Sequence, residues 1–304
     1  MWIRRREPAQ PAPPPGWRPR AEEIADAHCA AVEPPSVDAG VGRVRFAAIG
    51  DFGYAGPTEE AVADLVKGFR PDFIITLGDN NYPLGSAETI DLNIGLFYHE
   101  YIAPYRGRFG CGALHNHFFP ALGNHDWMTA GARPYLDYFE LPGNERYYEV
   151  MSGPVQLFAL DSDPSEPDGI TADSAQAAWL HQALAVSTAA WKIVYLHHAP
   201  YSSGPHGGTT ALRWPYKAWG ADLVLAGHDH TYERFEIDGL PYVVNGLGGA
   251  VFYPMGRPVA GSVARFNDSA GALFVEADDS TLRARFQTAD GRKIDELSLA
   301  KVPR

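Results

Sequence analysis

Five short apolar runs in this chain end in side chains that bind cations. Asp51 follows VRFAAIG, Asp79 follows DFIITLG, Asn124 follows FFPALG, His197 follows WKIVYL, and His228 and His230 follow ADLVLAG. Tyr82, just past Asp79, could add a phenol oxygen. Carboxylate and amide oxygens mixed with imidazoles suit hard or borderline ions such as Mn, Fe and Zn. The absence of thiolates argues against a structural zinc site. The set is larger than one tetrahedral ion needs, but it suits two ions that share a carboxylate. Paired cations ~3.5–4 Å apart are a recurring device of phosphatases and nucleases, where they clamp phosphoryl oxygens and lower the pKa of bound water. A lone Gly-Asp after a strand is ordinarily only a turn, and Tyr82 read alone is a packing aromatic before Pro83. Two histidines at i and i+2 behind an apolar strand are seldom both structural, and turns do not explain the ordered series.

These groups meet only if the elements carrying them run side by side. Runs of Ile, Val, Leu and Phe of this length read as buried strands, and residues 154–163, PVQLFALDSD, add another. Helical segments fall between them. Residues 58–69 have acids at the start and Gly68 near the end. Residues 173–184 open with Asp173 and Gln176 at capping-box spacing. Residues 209–220 are helical in pattern, with a kink expected at Pro215. Residues 241–246, 272–277 and 281–287 look like strands with no helix between them and are expected to pair antiparallel. The pattern predicts a mixed α/β sandwich flanked by helices, and in open sheets the crevice at the strand C-termini is where ligands bind.

The length of 304 residues and 45% apolar content fit one large core. Residues 1–42 are Pro-rich, with a short Ala-rich piece at 21–32 that could be helical. They read as an extended or partly ordered arm, because proline fixes φ and donates no backbone hydrogen bond. Residues 43–304 form the expected catalytic domain. A net charge of −12 opposes broad nucleic-acid binding. Two cysteines, Cys29 and Cys111, exclude a disulfide framework and a Cys-based zinc site. No membrane span or signal peptide is visible.

The ordered motifs GDFG (50–53), GDNNY (78–82), GNHD (123–126), VYLH (194–197) and GHDH (227–230) resemble the signature of the purple acid phosphatases, a branch of the calcineurin-like metallophosphoesterases. The resemblance implies a four-layer αββα sandwich of two mixed sheets. It implies that Asp51, Tyr82 and His230 bind a ferric ion, that Asn124, His197 and His228 bind Fe, Zn or Mn, and that Asp79 bridges the two. Many other members of the superfamily carry His two residues after the first Asp, where this chain has Gly53. His125 resembles the residue that contacts phosphate and protonates the leaving oxygen. His206, in YSSGPHG (201–207), lies where the family has a substrate-contacting residue. His198 follows a ligand on a strand, so its side chain is expected to point away. His28, His99, His115, His117 and His181 fit no motif.

The expected reaction is hydrolysis of a small phosphate monoester, with attack by a metal-bound hydroxide. A phosphodiesterase or nuclease of the same superfamily is the first alternative, and a non-catalytic metal-binding module the second. The resemblance favours an extracytoplasmic location. In the small mammalian-type members a long loop between a DS motif and a QxxWL helix covers the site and is clipped to activate. Here only residues 163–175 separate Asp161-Ser162 from Gln176, so a constitutively active chain is expected.

Overall fold

The computed structural model describes residues 13–18, 31, 33–34 and 42–301. Its central strands are apolar on both faces because both faces are covered. Strand β1 (Arg43–Ile49) turns Val44, Phe46 and Ala48 to one side and Ala47 and Ile49 to the other, the period-2 alternation of a pleated strand. It pairs in parallel with β2 (Phe73–Thr76), which pairs in parallel with β3 (Phe118–Pro120). On the far side of β1 come β11 (Gly271–Asp278), β12 (Thr281–Thr288) and β13 (Lys293–Ala300), all antiparallel, completing a six-stranded mixed sheet.

A seven-stranded sheet faces it. Its parallel centre is β5 (Val155–Ala159), β6 (Trp191–Tyr195), β7 (Leu223–Ala226) and β9 (Leu240–Asn245). Antiparallel β4 (Tyr148–Ser152) lies beside β5, and antiparallel β8 (Tyr232–Ile237) lies beside β9 with β10 (Ser262–Phe266) outside it. Phe46, Ile75, Leu157, Ile193, Leu225, Val243, Val275 and Phe286 fill the space between the sheets. The helix Pro57–Phe69 covers the outer face of the first sheet through Val62, Ala63 and Val66. The helix Ala175–Val186 covers the second through Ala177, Leu180 and Leu184. The result is the four-layer αββα sandwich.

Several local expectations change. The cap of the helix Ala175–Val186 is Ser174, whose side chain accepts the Ala177 N–H, whereas Asp173 accepts from the Thr171 hydroxyl. Residues 209–220 are not one kinked helix: a 3-10 turn at Thr210–Leu212 and a short helix at Tyr216–Trp219 flank Pro215. The strand at 241–246 does not join the other two tail strands but completes the second sheet between β7 and β8. Residues 272–277 and 281–287 do pair antiparallel, within β11 and β12.

In the arm, Trp17 packs on the outer apolar layer and its indole N–H reaches Glu60 at 3.4 Å. The Ala-rich piece at 21–32 lies, apart from residue 31, outside the described residues. Cys111 is disulfide-bonded, a single link rather than a framework; Cys29 lies outside the described residues. Among the described residues no helix is long and apolar enough to cross a membrane.

Candidate metal centre

The parallel strands of both sheets end at one crevice, and the backbone turns sharply there. Asp51, Asp79 and His228 adopt left-handed φ of 56°, 52° and 72°. Such strain in non-glycine residues costs of order 1–3 kcal/mol each and gathers at functional sites. Glycine precedes each because neighbouring backbone and ligands crowd in: a Cβ on Gly78 would lie 2.5 Å from His197 Nδ1. Gly53 is equally constrained. A Cβ there would lie 1.8 Å from the Asn80 carbonyl oxygen, so the imidazole that other superfamily members carry at this place has no room.

The structure brings all seven candidate ligands together. Tyr82 Oη lies 3.0 Å from His230 Nε2 and 3.3 Å from Asp51 Oδ1, and His230 Nε2 lies 3.3 Å from the same Asp51 oxygen. In a second group, His197 Nε2 lies 2.9 Å from Asn124 Oδ1 and 3.1 Å from His228 Nδ1. Asp79 Oδ2 stands between the groups, 3.0 Å from Tyr82 Oη and 3.3 Å from His197 Nε2. The remaining oxygens are already engaged: Asp79 Oδ1 accepts the His125 N–H at 2.9 Å, and Asp51 Oδ2 accepts the His228 N–H at 2.9 Å.

Hydrogen bonding on the far side of two rings fixes what faces the centre. His197 Nδ1 donates to the Leu77 carbonyl at 2.8 Å and His230 Nδ1 to the Val251 carbonyl at 2.6 Å. With that proton committed, a neutral ring presents a lone pair at Nε2, the usual way a metal-binding histidine is oriented. Lone pairs of carboxylates, an amide oxygen and imidazoles then point at one another inside a buried volume. Such an arrangement is repulsive unless protons or cations lie among them, and this donor set fits cations. Asp79, His197 and His228 bring their ligand atoms within 4.8 Å of one another.

Without a cation, protons would settle the charge. Burial lowers the His197 imidazolium, but the Asp79 and Asp51 carboxylates outweigh it and hold the group up at about 10. Burial raises the Asp79 carboxyl, but His197 and His125 outweigh it and hold it far below the carboxylate range. Burial pushes His228 well down.

His125 flanks the centre. Its Nδ1 donates to the Pro83 carbonyl at 2.6 Å, its ring lies 4.4 Å from that of Tyr82, and its Nε2 stands 3.9 Å from Asp79 Oδ2. His206 packs against His228, their tilted rings 4.2 Å apart between centres. His198 does not point away as expected. It turns its ring to within 4.4 Å of His228 and bonds Ser162 Oγ at 3.0 Å, while burial and then His197 push its pKa down to about 3. The strand has ended by that point, so alternation no longer governs it.

Of the other histidines, His99 bonds the Cys111 carbonyl, His115 and His117 bind Glu33, and His181 stacks on Trp219 at 4.9 Å. His28 lies outside the described residues. Sequence reasoning assigned no role to Asp126, whose carboxylate gathers the N–H groups of Gly123 and Asn80 and the Asn80 amide. Its place inside GNHD was the available signal. Tyr253, stacked parallel on His230 at 4.0 Å, had none.

Residues 163–175 make tight turns beside the second sheet. Glu166 N–H bonds the Asp163 carbonyl and Gly169 N–H the Glu166 carbonyl, while Arg146 grips Glu166 and Asp168. So pinned, the segment has no slack to cover the centre. Proteolysis mapped between Asp163 and Thr171 is expected to leave turnover unchanged, and a several-fold rise after one cut there would refute this.

A two-sheet sandwich with this cluster at the ends of its parallel strands is the architecture of a metal-dependent phosphoesterase. Residues 44–232 match the calcineurin-like phosphoesterase family, and the chain belongs to it. Purple acid phosphatase 17 of Arabidopsis thaliana is 29% identical over 71% of this chain and 71% of its own length. Tartrate-resistant acid phosphatase type 5 of Rattus norvegicus is 26% identical over 91% of this chain and 94% of its own. Among solved structures, a purple acid phosphatase from yellow lupin seeds superposes with a TM-score of 0.68 at 19% identity, over 86% of this chain and 54% of that one. GAP50, described as the anchor in the inner membrane complex of Plasmodium, matches with the same TM-score at 18% identity, over 86% of this chain and 90% of its own. The chain is thus a metallophosphoesterase, a hydrolase of phosphoric esters, similar to the purple acid phosphatases.

Proposed function

We propose that the chain hydrolyses small phosphate monoesters at a two-cation centre. The observation carrying this is the pair of ligand groups with Asp79 Oδ2 between them. Asp51, Tyr82 and His230 would hold one ion, Asn124, His197 and His228 the other, and Asp79 both. When bound, the cations neutralise phosphoryl charge and lower the pKa of water. The protein's own part is positioning. Its buried carboxylates fix the ligand geometry, and His125, with Nδ1 bonded to Pro83, offers Nε2 to the departing ester oxygen. His206 would contact the substrate phosphoryl group.

A phenolate is a hard anionic oxygen that favours a trivalent ion, so Tyr82 supports Fe(III) in its group, while the imidazoles and amide oxygen of the other suit Fe, Zn or Mn. The purified oxidised protein is expected to show a broad visible charge-transfer band, and Tyr82→Phe to abolish it. A colourless protein with two Mn or Zn ions and full activity would remove iron while leaving the phosphatase. Assaying a monoester beside a diester tests the substrate class: faster diester turnover would overturn the monoester reading. The Cys111 disulfide supports an oxidising, extracytoplasmic location, and we take 43–304 as the catalytic domain with 1–42 as its arm.

A further inference from the structure

Asp229 lies between His228 and His230 in GHDH, yet its carboxylate turns away from their ring nitrogens, toward the loop 201–208. Oδ1 accepts the backbone N–H of His206 at 3.0 Å, and Oδ2 accepts the Ser202 hydroxyl. The Ser202 hydroxyl oxygen in turn accepts the Gly204 N–H at 2.9 Å. Gly204 passes so close that a Cβ there would lie 2.3 Å from the Asp229 carboxyl carbon. Farther along, Glu233 accepts the Ser203 N–H at 2.8 Å and its hydroxyl at 2.7 Å.

This loop needs such holding. Gly204, Gly207 and Gly208 leave it conformationally free. Among the described residues, His206 is placed by its backbone and by ring packing on His228 and, at 5.5 Å, Tyr253. Among the described residues its ring nitrogens have no protein hydrogen-bond partner, which leaves them for a ligand.

We propose that Asp229 is a positioning residue that seats His206 over the His228 side of the centre, coupling the metal-binding loop to the phosphate-binding loop. This rests on the reading of His206 as a phosphate contact. A histidine held in place binds an oxyanion without the cost of ordering its loop at each encounter. A stray loop would weaken phosphate binding while leaving the ligands of the cations untouched.

The test uses the metal-loaded full chain with inorganic phosphate as probe. Asp229→Ala is expected to weaken phosphate binding and raise KM about tenfold, as expected for losing one charge-assisted contact. kcat and the content of two cations should stay near wild type. Gly204→Ala, which pushes into the same carboxylate from the loop side and leaves the metal loop intact, should act alike. His206→Ala should weaken phosphate binding at least as far, and Asp229→Ala added to it should weaken it no further. Asp229→Asn, which keeps an acceptor oxygen, should recover most of the loss.

Wild-type phosphate affinity in Asp229→Ala and Gly204→Ala would overturn the proposal. So would metal loss in Asp229→Ala with Gly204→Ala silent. Amide hydrogen exchange over residues 201–208 gives an answer independent of activity. It should quicken in Asp229→Ala, and unchanged exchange would overturn the positioning role. If the wild-type holoprotein neither binds phosphate nor turns over any monoester, the phosphatase reading fails, and the exchange measurement still decides whether Asp229 holds the loop.

Discussion

Asp79→Ala is expected to lose both cations and nearly all turnover. Asp79 Oδ2 stands between the two ligand groups, 3.0 Å from Tyr82 Oη and 3.3 Å from His197 Nε2. Its second oxygen holds the His125 N–H, so the substitution also frees the turn that carries Asn124 and His125. Losing a partner that only orients a ligand typically costs ~10–100-fold in metal affinity, and losing a shared ligand should cost more at both sites. Elemental analysis after desalting, with turnover of an aryl phosphate measured alongside, gives the answer. His181→Ala is the control, because His181 stacks on Trp219 and belongs to neither ligand group. Two retained ions and wild-type turnover in Asp79→Ala would break the site assignment.

The second large effect belongs to His125 and should depend on the substrate. With Nδ1 donating to the Pro83 carbonyl, Nε2 faces the centre and, when protonated, can pass its proton to the departing oxygen. Alkyl alkoxides leave poorly and need that proton, whereas activated phenolates leave without it. His125→Ala should therefore slow alkyl phosphates by ~10²–10⁴, the usual worth of general acid catalysis, and activated aryl phosphates by much less. The comparison of kcat across a leaving-group series decides. Equal losses in both classes would assign His125 to phosphate binding alone.

Much of this was legible because the chemistry is local in sequence. Each apolar run ends at its ligand, so the strand and the residue it delivers are read together, as in VRFAAIGD or ADLVLAGH. What escaped depends on neighbours distant in the chain. β13 is an exposed edge strand whose sequence, KIDELSLA, carries charge along its length and little apolar signal. β9 reads like the other tail strands, and only its pairing with β7 and β8 assigns it to the second sheet. Ser174 and Asp173 are both good caps on paper, and the choice between them lies in which side chain meets the Ala177 N–H. Asp126 was visible within its motif, but its partners on Asn80 lie across the crevice.

The pairing of β1 with β11, Phe46 against Val275, has a consequence for the order in which the molecule can be assembled. β1 and β2 leave the ribosome first among the strands, carrying the turns to Asp51, Asp79 and Tyr82, but one flank of β1 stays open until β11, more than two hundred residues later, has been made. The imidazoles arrive from the second sheet in the meantime. Closing so long a loop is entropically slow, and an unpaired apolar strand is prone to misassociation while it waits. The first sheet is therefore completed only after β11, β12 and β13 have been made. The nascent chain passes through a long interval in which oxygen donors and imidazoles both exist but the frame that spaces them is unfinished. A centre that needs both donor sets at their final spacing is therefore complete only once β11 has docked on β1.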